Sequence, residues 1–383
     1  MKSGERKSIG RNYSLDCLRI LSMFGVVILH AGSHGGVLAI SEGINAYTLF
    51  FHGIEALAIS SVNVFVLISA YFLCAQSFRL SRLLKLWSLV LFYSLLGFGV
   101  ATCLNPEAFS IKSFLKSVFP ISYSQYWFVS AYIIMCLLSP LVNYWLKGIT
   151  QLQHFISIIL LLSVFCLWPD LMVFSNPSGI KNVGSSAVWF VVLYIVAAYF
   201  RKWPVRVSLS TAFAVYFMSS AAMLAVWAIM ASITNTTNFR DEAYGLVSFY
   251  YFRYNSLLPF IATVSLFWGF RGLTIKNNSL QKAISLIAPL MLGVYLIHDN
   301  GYFRDYVWSN LRGLEPSLSA PFIVMGHAVA VFVLCAMADA VRTMLFSVFG
   351  KRTEGSFMNK VDAFPDRVKT KLEIFMINWQ KDV

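Results

Sequence analysis

An arginine and a histidine, Arg19 and His30, stand eleven positions apart inside one apolar run near the start of the chain. At 3.6 residues per turn, eleven positions make almost three full turns. Both side chains therefore lie on nearly the same helix face, about 16 Å apart along the axis. A charged residue at the centre of a membrane helix costs roughly 2.5 to 3.5 kcal/mol on insertion scales, so each needs a reason to be there. Imidazole can take a proton from a hydroxyl or carry an acyl group. A guanidinium offers a planar fork that matches phosphate. Asp16 lies three residues before Arg19 and can pair with it. The structural alternatives are a snorkelling anchor for Arg19 and a hydrogen-bonded helix-end residue for His30.

Arg79 and Arg82 form a second basic feature, directly after the apolar stretch Ser61–Leu73. If this juncture is helical, the i, i+3 spacing places both guanidinium groups on one face, suited to a phosphorylated ligand arriving from the cytoplasm. Ordinary enrichment of basic residues in inner loops is the alternative.

The elements that must position these residues are membrane helices. Hydrophobic residues make up 58% of the chain and charged ones 12%, with mean hydropathy +0.68, more apolar surface than a soluble domain needs. A spanning helix needs roughly 20 mostly apolar residues. Such runs occur near residues 14–33, 53–75, 83–104, 126–146, 154–174, 186–200, 209–233, 249–269, 283–298 and 320–346. Backbone in lipid must satisfy its own polar groups, so these read as helices, giving an all-α polytopic membrane protein of about ten spans.

The net charge of +13 does not point to nucleic acid, because the basic residues cluster in alternate loops. With the N-terminus inside, inner segments hold fourteen Lys and Arg, from Lys2 to Lys282, and outer loops hold six, from Lys112 to Arg312. This asymmetry places both termini in the cytoplasm and requires an even number of helices. A cleaved secretory signal is the competing reading of the N-terminus, but Arg19 interrupts its apolar region and cleavage would break that parity. The cysteines Cys17, Cys74, Cys103, Cys136, Cys166 and Cys335 lie in or beside spans without CxxC spacing and read as apolar filler, with no metal site. Residues 1–350 form one membrane domain. In the tail, 351–383, Val368, Leu372, Phe375 and Trp379 recur at helical spacing behind Pro365, with Arg367, Lys369 and Lys371 on the other side. That pattern suits a helix lying on anionic lipid, or else a solvated tail.

In this topology His30, His52, Glu55, His298 and Asp299 all fall toward the outer ends of their helices, opposite the arginines. Glu55 or Asp299 can orient His30, as carboxylates orient catalytic histidines. The alternative is a set of interfacial polar residues. His34 and His154 carry less weight, and His327 suits a hydrogen bond between helices.

Several of these features together resemble the acyltransferase 3 family of membrane-bound O-acyltransferases. The matching residues are Leu15-Asp16-Cys17-Leu18-Arg19, the spacing from Arg19 to His30, Phe65-Val66-Leu67-Ile68-Ser69-Ala70-Tyr71, and Arg79 with Arg82. Tyr126-Trp127-Phe128-Val129-Ser130-Ala131-Tyr132 and Gly293-Val294-Tyr295-Leu296-Ile297-His298 extend the likeness over most of residues 14–346. Asn63 stands where many members have an acidic residue and Ala70 where many have glycine. The extracytoplasmic hydrolase-like domain fused to some members has no counterpart here.

The resemblance implies transfer of an acyl group, usually acetyl, from acyl-coenzyme A to a hydroxyl of a cell-envelope polysaccharide or glycolipid. Acetyl-CoA is then a cosubstrate and no cofactor is permanently bound. The implied setting is a bacterial plasma membrane. Arg19, Arg79 and Arg82 would hold coenzyme A phosphates, and His30, as general base or transient acyl carrier, would be the reactive group with Glu55 and Asp299 beside it. Two other classes compete: a transporter or flippase for an envelope glycolipid, and a membrane anchor without chemistry. Transporters often have paired halves with broken helices. No such pairing is visible in the sequence.

Overall fold

A computed structural model describes residues 11–39, 43–171, 180–236 and 252–349, and in the tail 358–359, 361–363 and 365. Every described element is helical, and no strand occurs among the described residues. The principal helices are α1 (Tyr13–Ser33), α2 (Ala46–Ala58), α3 (Ser61–Leu73), α4 (Leu80–Leu104), α5 (Ile111–Val118), α6 (Trp127–Gly148), α7 (Gln151–Leu162), α8 (Trp168–Leu171), α9 (Ala187–Lys202) and α10 (Leu209–Thr236). They continue with α11 (Leu257–Gly272), α12 (Asn278–Ile287), α13 (Met291–His298), α14 (Arg304–Trp308) and α15 (Ala320–Phe349). Each of the ten apolar runs overlaps a described helix, and residues 172–174 of the fifth lie outside the described residues. Among the described residues, eight helical segments are long and apolar enough to cross a membrane, counting α2 with α3, α7 with α8, and α12 with α13 as continuous paths.

The limits of three runs differ from the sequence expectation. The second starts at Ala46 rather than 53, and its helix breaks after Ala58 before resuming at Ser61. The eighth starts at Leu257, because Phe252–Ser256 form turns; residues 249–251 lie outside the described residues. The ninth begins at Asn278 and tightens into a 3-10 turn at Ala288–Leu290, around Pro289, before α13. Proline has no N–H for an α-helical bond, which accounts for a break there. The tail residues Val368, Leu372, Phe375 and Trp379 lie outside the described residues.

Only 16 residues long, α9 is nevertheless the centre of the bundle. Trp189, Phe190, Leu193 and Tyr194 are buried, and α3 and α6 flank it. A helix enclosed by other helices has no need to match the hydrocarbon thickness by itself. α1, with 21 residues, is about 31 Å long, enough to cross. It packs on α2, α3 and α15. Gly25 of α1 faces Ser61, and a Cβ there would run into the Ser61 hydroxyl. The glycine therefore sets how closely α1 and α3 approach.

Asn63 joins three elements. Its Nδ2 donates to the Tyr254 carbonyl at 2.6 Å, and its Oδ1 accepts from the Trp189 indole at 2.9 Å. The residue is fully buried. An Asn63→Leu replacement leaves an indole N–H and a carbonyl without partners in a dry core, at about 1 to 3 kcal/mol for each unsatisfied group. Thermal unfolding in detergent should show a midpoint several degrees lower, and an unchanged midpoint would remove Asn63 from this role.

Candidate active site

Asn12 caps α1 through its side chain, which accepts the Leu15 N–H at 3.0 Å, and this fixes the first turn that carries Asp16. Asp16 accepts from Arg11 at 2.7 Å and from Arg19 at 2.9 Å. The pairing of Asp16 with Arg19 is the one its spacing allows, and it holds the Arg19 guanidinium in place. Arg79 and Arg82 lie at the α3–α4 juncture, with Arg79 as the N-cap of α4. All three arginines line one cavity of about 320 Å³, whose remaining wall includes Phe65, Phe128 and Leu292. Residues far apart in the chain are thus brought into a single basic pocket with an apolar interior.

On the opposite face lies a wider cavity of about 730 Å³, lined by His30, His34, Glu55, Gln125, Trp127, Tyr254, Asp299 and Arg304, among others. Trp127 and Tyr254 stack there, ring centroids 5.7 Å apart and 20° from parallel. Between the two is a void of about 20 Å³, room for roughly one water. It shares Phe65, Phe128 and Leu292 with the basic pocket, and His30, Trp127 and Tyr254 with the wide cavity. His30 therefore lines both the small void and the wide cavity.

The surroundings of His30 are the densest polar cluster in the site. Its Nδ1 lies 2.9 Å from Nε2 of His298. His298 is fully buried, and its own Nδ1 lies 2.6 Å from the Val294 carbonyl. Asp299 follows on the C-terminal cap of α13, its side chain only 4% exposed. One Asp299 oxygen is 3.1 Å from Arg304 Nε, 3.4 Å from His34 Nε2 and 4.0 Å from His30 Nδ1. Arg304 also donates to the Asp299 backbone carbonyl at 3.2 Å. A carboxylate so deeply placed needs positive charge nearby, and Arg304 supplies it.

The ligand atoms of His30, His34 and Asp299 lie within 4.8 Å of one another, close enough to converge on a metal ion. The guanidinium of Arg304 at 3.1 Å from the same carboxylate oxygen would repel a dication there, and His30 Nδ1 is already engaged by His298. The donor set is therefore better suited to histidine chemistry than to a metal.

Two contacts differ from expectation. Glu55 lines the wide cavity, but its carboxylate accepts from His52 Nδ1 at 2.8 Å and makes no recorded bond to His30. His52 in turn stacks on Trp227 at 4.1 Å. With its partner one helical turn away, Glu55 satisfies itself locally. Asp299 reaches the cluster, but the direct partner of the His30 ring is His298. The sequence places His298 in the outer-end cluster without pairing it to His30, gives His34 less weight, and counts Arg304 only among the outer-loop charges. His34 lies one turn beyond His30, and Arg304 five residues after Asp299. His154 is buried elsewhere, against the Ile195 carbonyl, and His327 bonds the Val307 carbonyl.

This arrangement spans nearly the whole chain, and so does a sequence likeness: residues 12–338 match the family model described as an acyltransferase domain, acyltransferase 3. The chain belongs to the acyltransferase 3 family. No curated protein and no solved structure shows significant similarity to it. As a member of this family it is a multi-pass membrane acyltransferase, and acyl transfer needs a reactive base or nucleophile within reach of a bound acyl group. The polar cluster around His30 offers one.

Any positive charge gained by His30 during reaction faces the Asp299 carboxylate. Asp299→Asn keeps the shape and removes that charge. Acyl-transfer rate in purified membranes should fall at least about tenfold with normal protein level, since a charge at 4 Å is worth a few kcal/mol even at an effective dielectric of 20. Native rates would exclude an electrostatic role.

Proposed function

We propose that the protein moves an acetyl group from acetyl-coenzyme A to a hydroxyl of an envelope polysaccharide or lipid-linked glycan across the plane of a bacterial plasma membrane. The observation that carries the reading is the alignment of three cavities: a basic pocket, a narrow apolar neck, and a wide polar cavity with His30 at its mouth. Coenzyme A is polyanionic at one end and apolar along its arm. Arg19, Arg79 and Arg82 match the first property, and Phe65, Phe128 and Leu292 the second. The basic face is the cytoplasmic one in the orientation that the charge asymmetry sets. A carbohydrate acceptor would approach from the other side, where stacked Trp127 and Tyr254 offer a flat apolar surface beside polar groups.

His30 can act in either of two ways with balanced atoms. As a general base it takes the hydroxyl proton while the acceptor oxygen attacks the thioester carbonyl; the carbon–sulfur bond breaks and the thiolate leaves into the neck. As an acyl carrier its ring nitrogen attacks first, expelling the thiolate and leaving an N-acylimidazolium; the acceptor oxygen then attacks the acyl carbon, the carbon–nitrogen bond breaks, and the hydroxyl proton passes to the ring nitrogen so released. A flippase for a whole glycolipid is disfavoured by the neck, which holds about 20 Å³.

His30→Ala should abolish envelope O-acetylation, with a fall of at least 10²-fold in transfer measured by mass spectrometry of surface glycan at matched expression. Unchanged acetyl content would remove the enzymatic role of His30. Arg79→Ala with Arg82→Ala should raise the KM for acetyl-CoA by tenfold or more, since charge-assisted bonds contribute roughly 1.5 to 3 kcal/mol. An unaltered KM would detach both arginines from coenzyme A.

A further inference from the structure

We propose that His298 is a positioning residue that fixes the proton of His30 on Nδ1 and leaves Nε2 as the reactive nitrogen. The inference rests on the reading of His30 as the reactive group. It follows from hydrogen-bond bookkeeping along a chain of two rings. The Val294 carbonyl can only accept, so His298 Nδ1, 2.6 Å away, must carry a proton and donate it. A neutral imidazole has one protonated nitrogen, so His298 Nε2 is then an acceptor. The atom 2.9 Å from it, His30 Nδ1, must donate. His30 Nε2 is left with its lone pair, and no hydrogen bond to it is recorded among the described residues.

With His298 neutral, the order of the chain gives the tautomer. Burial holds it rigid: His298 is fully buried, packed against Tyr295 and Trp308, and its carbonyl partner lies one turn earlier on the same helix. A carboxylate performs this service in the serine-protease triad, and a wrong tautomer there costs about 10⁴ in rate. Here a second histidine performs it. In the base mechanism, His30 takes the acceptor proton on Nε2 and keeps its Nδ1 proton in the bond to His298. In the carrier mechanism, acylated Nε2 makes the ring a cation, whose Nδ1 proton is held by His298 Nε2. Asp299 faces either cation.

Two variants and one spectroscopic measurement test this. His298→Leu removes the acceptor, and kcat should fall by on the order of 10²- to 10⁴-fold, with KM for acetyl-CoA within threefold of native. His298→Gln places an amide oxygen near the former Nε2 and should restore at least a tenth of native kcat. Nitrogen-15 NMR of histidine-labelled protein, with the His30→Ala variant for assignment, should show His30 protonated at Nδ1 and bare at Nε2. The opposite tautomer overturns the inference, as does native kcat in the leucine variant or an equally inactive glutamine variant. If His30→Ala itself retains activity, the reading of His30 falls; if only the His298 predictions fail, that reading stands.

Discussion

Both nitrogens of an imidazole held among apolar helices must be accounted for, and the bond between His30 and His298 meets that requirement for one nitrogen while exposing the other. The rest of the site is arranged around this contact. The Val294 carbonyl satisfies the far side of His298. Asp299 lies one residue on, where α13 ends, and brings its carboxylate to the mouth of the cavity. Arg304 keeps that carboxylate neutralised. Each member needs the next, because a lone buried charge or ring nitrogen would cost more than the bundle can spare.

α1 couples this cluster to the basic face. Its single stripe carries Arg19 and His30, so the helix is a rigid rod with a phosphate-matching group near one end and a proton-accepting group near the other. The separation of about 16 Å is set by helix geometry alone. Gly25, halfway between them, admits α3 to close contact, and α3 supplies Phe65 to the neck. The apolar neck is thus built by the same packing that brings α1 against its neighbours.

The helices were legible because hydropathy over twenty residues is a strong signal, and every apolar run overlaps a described helix. The limits were less so: breaks after Ala58 and at Pro289 come from local turns that a hydropathy window smooths over. The shortness of α9 goes with its burial against α3 and α6. Within the site, the pairing of Asp16 with Arg19 could be read from i, i+3 spacing. The same spacing joins His52 to Glu55, so of the two carboxylates that could orient His30, Glu55 or Asp299, it is Asp299 that lies near the ring. His298 belongs to the outer-end cluster and closes the Gly293–His298 motif, but nothing in the sequence pairs it with His30. A histidine at a helix end reads alike whether it meets lipid headgroups or another ring 268 residues away. The buried pair of Asp339 and Arg342 also escaped notice, although it is an i, i+3 pair, bonded at 2.6 Å and joined by the Tyr93 hydroxyl.

The constriction beside His30 bears on how the two faces remain separate. A membrane enzyme with substrates on opposite sides must let an acyl group pass while refusing ions and water. A void of about 20 Å³ walled by Phe65, Phe128, Tyr254, Leu292 and Tyr295 is dry enough to resist charge and short enough to leave His30 within reach of both cavities. Under the proposed function, a thioester arm is neutral along the part that would enter such a void, and its phosphates would stay with the arginines. The charge that cannot cross would then be held at one end, with only the reacting group suited to the other.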